Sequence, residues 1–160
     1  GAGGSAPKHV QQFVEEGHLR WDSLGEFLAL EVSLEHEGEK NNSSETLVVA
    51  EALGDATEKF LLNDRSPSRK VNELDNRGSH FYLALYWAEF LSKQDKDKAL
   101  QTKFSKVYAD LSANTDIILS ELIAAQGAPQ NIEGYYLPNA NLIAEAMRPS
   151  KTFNQILAQI

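Results

Sequence analysis

Residues Asn72–Lys93 read Asn-Glu-Leu-Asp-Asn-Arg-Gly-Ser-His-Phe-Tyr-Leu-Ala-Leu-Tyr-Trp-Ala-Glu-Phe-Leu-Ser-Lys. No residue from Phe81 to Ala88 is charged, and Phe90 and Leu91 carry the apolar run past Glu89. Periodicity alone does not separate strand from helix in so short a run. The flanks do. Asp75 or Ser79 can cap a helix start, Leu and Ala fill the interior, and Lys93 lies where the helix dipole favours a cation. A helix that is apolar nearly all round belongs in the middle of a bundle. The reading is therefore a buried central helix over Phe81–Leu91, with the other segments packed around it.

Working outward, Gly1–Ser5 reads as a flexible loop. Ser5 is the expected N-cap of a first helix, Pro7 suits its first turn, and Val10, Phe13 and Val14 form its apolar stripe. Gly17 is placed to end it in the left-handed conformation. Asp22 or Ser23 caps a second helix, and Ser23 with Glu26 has capping-box spacing. Leu24, Phe27 and Leu28 share one face there, widened by Leu30 and Leu34; Gly38 is the expected stop. Ser43 or Ser44 starts a third helix through Val49, Leu53, Ala56 and Phe60. Asn63–Ser68 is a loop, with Arg65, Arg69 and Lys70 making this stretch basic. Beyond the central helix, Leu100, Phe104, Val107, Tyr108 and Leu111 mark a fifth helix, and Ile118, Leu122 and Ile123 a sixth. Asn131–Asn139 is an irregular loop, pinned to the core by Tyr135 and Tyr136. Two short helices follow, around Leu142–Met147 and around Phe153–Ile160. No segment alternates long enough to read as a strand. The expected fold is all-α, a multi-helix bundle of about seven or eight helices in a single domain spanning residues 1–160.

Bulk properties exclude several classes. The net charge of −8 disfavours nucleic acid and anionic membrane as partners. There is no Cys, so neither a disulfide framework nor a zinc–thiolate site can form. No apolar run approaches the ~20 residues of a membrane span. The N-terminus lacks the layout of a signal peptide, and the expected location is cytoplasmic. The start at Gly1 rather than Met leads to the expectation of either a tag scar or a segment cut from something longer.

Few residues invite chemistry. A Gly-rich stretch feeding a helix N-terminus is an anion site when backbone N–H groups face outward, or simply a loose terminus. His9 can meet a bound nucleotide with its ring, or be a surface histidine. Arg20, beside Trp21 and Asp22, can grip phosphate oxygens in pairs, or join Asp22 or Glu16 in a surface ion pair. Arg69 is a second candidate, in a loop whose backbone Ser-Pro fixes. Asp22 is the odd member near an anion; it can accept from a sugar hydroxyl or hold Arg20. Asp75, Arg77, Ser79 and His80 do not make a catalytic triad, because neighbours one or two apart on a helix do not face each other. They read as capping and ion pairing. Glu31, Glu35, His36 and Glu37 resemble a metal cluster only in composition and read as a solvated face. No catalytic residue and no metal ligand is assigned.

Glu73–Phe81, with the aromatic helix after it, resembles the C-terminal part of the monomeric, bacterial type of NADP-dependent isocitrate dehydrogenase. Similar words occur in order at Gly4–Gln12, Leu19–Phe27, Ser66–Lys70, Gly134–Pro138 and Ala146–Ser150, so the resemblance covers essentially the whole chain. It implies an oxidoreductase of the tricarboxylic acid cycle that converts isocitrate to 2-oxoglutarate and CO2. The chain would then be the C-terminal part of the large, NADP-contacting domain of a longer α/β enzyme.

The resemblance further implies that His9 contacts the adenosine end of NADP and that Arg20 and Arg69 take its 2′-phosphate. Gly4, Ser5, Trp21 and Asp22 complete the cofactor-binding set. The Mg or Mn ion, its aspartate ligands, the catalytic lysine and tyrosine and the isocitrate-binding residues are implied to lie in the remainder of the parent chain. Alone, the segment is expected to be inactive. The competing expectation is a stand-alone all-α module that docks a protein partner and catalyses nothing. In the first case several core-like faces should be exposed in the isolated segment.

Overall fold

The computed structural model describes residues 2–134 and 136–160, with backbone only for residues 2–5. The described residues form eight helices and no strand: α1 (Ala2–Glu16), α2 (Leu24–Lys40), α3 (Ser44–Leu62), α4 (Asn76–Lys93), α5 (Lys98–Ala113), α6 (Thr115–Ala124), α7 (Ala140–Met147) and α8 (Lys151–Leu157). No helix among them is long and apolar enough to cross a membrane. The all-α bundle expected from the apolar stripes is what forms.

α4 is the centre. Asp75 caps it in extended backbone conformation, its carboxylate accepting from the N–H groups of Arg77 and Gly78. Phe81, Leu83, Leu85, Tyr86, Ala88 and Leu91 are all buried along it. α3 and α5 pack against it, α2 covers α3, and α6 and α8 close the far side. The rings interlock edge to face: Phe27 on Phe60 at 5.6 Å and Phe81 on Phe153 at 5.4 Å. Ser150 caps α8 and also donates to Glu121 of α6, fastening the C-terminal helix to the bundle.

Several local expectations differ from what forms. α1 begins at Ala2, so the expected Gly-rich loop is helical from Ala2 onward and Ser5 is not its cap; Gly1 lies outside the described residues. Pro7 is therefore internal. With no N–H to donate, it leaves the Gly3 carbonyl without its helical partner. The Ser23–Glu26 capping box does not close. Ser23 makes no cap bond and accepts from Asn76 Nδ2 instead, while Glu26 takes the indole N–H of Trp21.

Gly38 does not stop α2 but lies buried inside it. A Cβ there would stand 2.7 Å from Leu47 Cδ2, so this glycine permits the close approach of α2 to α3. Leu28 and Leu30 are exposed rather than part of the core face. Tyr136 is 92% exposed, and Ile132 is the buried apolar residue of its loop, bonded through its carbonyl to Asn139 N. Tyr135 lies outside the described residues. Gly17 does end α1 as expected, at φ +63°, with the Ala125 and Ala128 carbonyls closing over the space where a Cβ would sit.

At the start of α4, Asp75 and Arg77 form a buried ion pair of 2.7 Å. The guanidinium also donates to Gly17 O at 2.5 Å and Ala146 O at 2.8 Å, and lies over the Phe13 ring. We expect Asp75→Ala to destabilise the fold by about 3–5 kcal/mol, since it strands a buried guanidinium. Asp75→Asn, which can still cap, should cost less. Denaturant midpoints of the two variants check this ordering.

Glu89 is buried on α4 between Lys59 and Lys93, each at 2.5 Å. Burial pushes its carboxyl up, but the hydrogen bonds and charges of the two lysines outweigh it and hold the group below its ordinary 4.5. Its stabilising effect is full above that value and is lost as pH falls through the lowered folded value. Glu89→Gln should therefore be less stable by about 1 kcal/mol at neutral pH, a modest figure because Lys93 is largely exposed. The gap should close in acid. Unfolding curves at pH 7 and pH 3 test the trend.

Candidate functional site

Between α1 and α2, residues 17–23 run as an irregular strap across the N-terminus of α4. An irregular backbone must find its hydrogen-bond partners in side chains and neighbouring loops. Leu19 N donates to Asp75, Leu19 O accepts from Asn76 N at 2.7 Å, and Trp21 O accepts from Asn76 Nδ2 at 2.9 Å. These bonds fix the backbone that carries Arg20, Trp21 and Asp22.

The 63–70 loop packs beside the strap. Ser79 donates to Arg65 O at 2.6 Å, and the Arg65 guanidinium lies 4.0 Å over the Tyr82 ring while bonding Tyr86. Arg65 is thus committed to anchoring the loop. Arg69, four residues on, is exposed and makes no ion pair among the described residues. Asp22 accepts from Ser66 Oγ at 3.0 Å, joining strap and loop directly, and its other oxygen takes Leu24 N. Gln12 Nε2 reaches Arg69 O at 3.4 Å from α1.

Five of the sequence-derived candidates therefore share one corner. His9 stands edge-on to Trp21 with ring centroids 5.5 Å apart. Arg20 lines an open cleft of about 350 Å³ with Lys8, Gln11, Gln12, Glu15 and Glu16. Asp22 and Arg69 border the corner from the strap and the loop. Gly4 and Ser5 lie in the first turn of α1, whose N–H groups have no partner within the helix; the Ser5 side chain is outside the described residues.

The corner gathers polar side chains whose hydrogen-bonding capacity is only partly used within the described residues. Three buried polar atoms there have no hydrogen-bond partner among the described residues: His9 Nδ1, Gln12 Oε1 and Arg20 Nε. A buried polar atom left bare costs roughly 1–3 kcal/mol, so three in one place need an account. Burial, and then the Arg20 charge, lower the basicity of His9 and favour its neutral ring. Arg20 pairs with neither Asp22 nor Glu16 among the described residues, so the surface ion pair does not form and Asp22 does not hold Arg20.

Sequence reasoning missed Gln12, although it lies one turn beyond His9 on the same helix face, a spacing that could have flagged it. It also missed Ser66. The triad reading of Asp75, Arg77, Ser79 and His80 finds no support in the geometry. Asp75 and Arg77 pair, Ser79 holds Arg65, and His80 bonds Asn76 O at 2.9 Å. Glu35, His36 and Glu37 are exposed on α2, and Glu31 folds over Gly54.

Comparison with known proteins places the chain in a family. The sequence profile described as Monomeric isocitrate dehydrogenase matches residues 1–158. The chain is 59% identical over its whole length to Isocitrate dehydrogenase [NADP] of Azotobacter vinelandii, 56% to Isocitrate dehydrogenase [NADP] 2 of Colwellia maris and 52% to Isocitrate dehydrogenase [NADP] 2 of Mycobacterium tuberculosis. It spans 22% of the length of each of these relatives. Matched by the family's profile over residues 1–158, the chain belongs to the monomeric isocitrate dehydrogenase family.

Proposed function

We propose that this chain is the C-terminal portion of an NADP-dependent isocitrate dehydrogenase and supplies the side of the NADP site that takes the adenosine 2′-phosphate. The observation that carries the reading is the pair of bare buried atoms, His9 Nδ1 and Arg20 Nε, beside the loop that presents Arg69. Two guanidinium groups suit a dianion, since each can meet its oxygens with paired N–H donors. The neutral His9 ring, steadied by Trp21, offers a face or edge to the adenine. Asp22 can accept from a ribose hydroxyl, and the first-turn N–H groups at Gly4 and Ser5 face anionic oxygens.

NADP would supply the hydride acceptor for oxidation of isocitrate to 2-oxoglutarate and CO2. The reaction also calls for a divalent ion, Mg or Mn, to stabilise the enolate left by CO2. The residues of this chain do not fit that ion: among the described residues no three His, Asp or Glu side chains gather to hold a metal. Its ligands, the acid–base pair and the isocitrate contacts fall to the rest of the parent protein. The exposed Leu28, Val32, Leu61 and Leu62 on α2 and α3 suit faces covered by that remainder. A stand-alone docking module would also expose apolar faces, but gives no reason for Arg20 Nε and His9 Nδ1 to be buried bare.

In the full-length protein we expect NADP to be preferred over NAD, and Arg20→Ala or Arg69→Ala each to lower that preference about 10- to 100-fold, the loss of one charge-assisted contact. Ratios of kcat/KM for the two nucleotides provide the measurement; an unchanged ratio in both variants refutes the reading. The 160 residues alone, given isocitrate, NADP and Mg²⁺, should form no NADPH. Sustained turnover above an Arg20→Ala control would contradict that expectation.

A further inference from the structure

His18 is the one histidine among the described residues that is wholly buried, at 0% exposure, and nothing in the proposed chemistry uses it. Its Nδ1 lies 2.7 Å from Gln126 Oε1 and its Nε2 lies 2.8 Å from Ser68 O. The Gln126 amide has only one sensible orientation. Its oxygen accepts from Asn72 N at 2.7 Å and its nitrogen donates to Glu73 O at 2.8 Å. Turning it over would set donor against donor at Asn72 and acceptor against acceptor at Glu73. Both atoms facing the His18 ring are therefore acceptors, and both ring nitrogens must donate.

These bonds join the parts that carry the two arginines. His18 lies two residues before Arg20 on the strap, and Ser68 is the residue before Arg69 on the loop. The carbonyls of Ser68 and Arg69 are each taken by a donor from the other side of the corner, His18 Nε2 and Gln12 Nε2. The Gln12 contact is long and exposed; the His18 contact is short and part-buried.

We propose that His18 is a positioning residue for the nucleotide site, holding the Arg69 loop at a fixed distance from Arg20 by donating to Ser68 O while its other ring nitrogen is anchored on Gln126. This rests on the reading of Arg20 and Arg69 as phosphate ligands. His18 does not touch the nucleotide; it acts through the backbone of its partner loop. The Nε2 bond is the one that matters to the site, and the Nδ1 bond orients the ring.

The two bonds can be separated by substitution. Gln places an amide near the position of the Nε2 atom, and Asn near that of Nδ1. In the full-length protein, His18→Asn should lower the NADP-over-NAD ratio of kcat/KM about tenfold, through a raised KM for NADP with kcat unchanged, as loss of one bond from a charged donor implies. His18→Gln should keep most of the ratio. Equal behaviour of the two variants, whether both keep the ratio or both lose it, overturns the proposal. Arg20→Ala run alongside separates the claims: if it lowers the ratio while His18→Asn does not, the site stands and the positioning role falls. If Arg20→Ala has no effect, the site reading falls and the positioning claim with it. Should His18→Asn not fold, His18→Gln decides: a tenfold loss of the ratio in that folded variant overturns the proposal, and a retained ratio supports it.

Discussion

A single guanidinium, that of Arg77, determines how the pieces of this molecule meet. It is buried against Asp75, which also caps α4, and its remaining N–H groups end on the carbonyls of Gly17 and Ala146. One side chain thus ties together the end of α1, the start of α4 and the end of α7. Burying such a pair is costly, and apolar residues of similar size could be as stable. They could not, however, specify which carbonyl lies where. The strap over residues 17–23 has no helix or sheet of its own to hold it, and Asp75 and Asn76 receive its backbone groups one by one. The placement of Arg20 and Trp21 follows from that polar junction, with the apolar core serving as its foundation.

Much of this architecture could be read from residues in order. The Phe81–Leu91 run could only be a central helix once its flanks were considered, and α4 extends it at both ends, to Asn76 and Lys93. Gly17 and Ser43 end and start helices as their types suggest. The misreadings share a cause: a residue with a strong local habit was claimed by a distant partner. Gly38 reads as a stop, yet its missing side chain makes room for Leu47 of the neighbouring helix. Ser23 reads as a cap, yet Asn76, fifty-three positions away, takes its oxygen. Leu28 and Leu30 read as core because an apolar stripe does not say what covers it.

The candidate site was legible to a similar degree. His9, Arg20, Trp21 and Asp22 lie close in sequence and share a corner, and Arg69 joins them through Gln12 and the Asp22–Ser66 bond. What no local pattern could reveal is the link of His18 to Gln126, 108 positions away. The bare atoms were equally invisible, since whether Arg20 pairs with Asp22 depends on where Ser66 comes to rest. The chain's net charge of −8 repels anions in general. At the cleft itself Lys8 and Arg20 stand among Glu15 and Glu16, so its lining carries both signs.

The contact of Trp21 with His9 has an optical consequence. The chain has two tryptophans, and they sit in different worlds. Trp21 touches the corner where the unpaired atoms gather, its indole N–H held by Glu26, whereas Trp87 donates to Val49 O within the helical core. Anything that enters beside His9 changes the polarity and quenching around one indole and leaves the other untouched. The fold therefore comes with a built-in fluorophore at the corner and a second, inert one to serve as its reference.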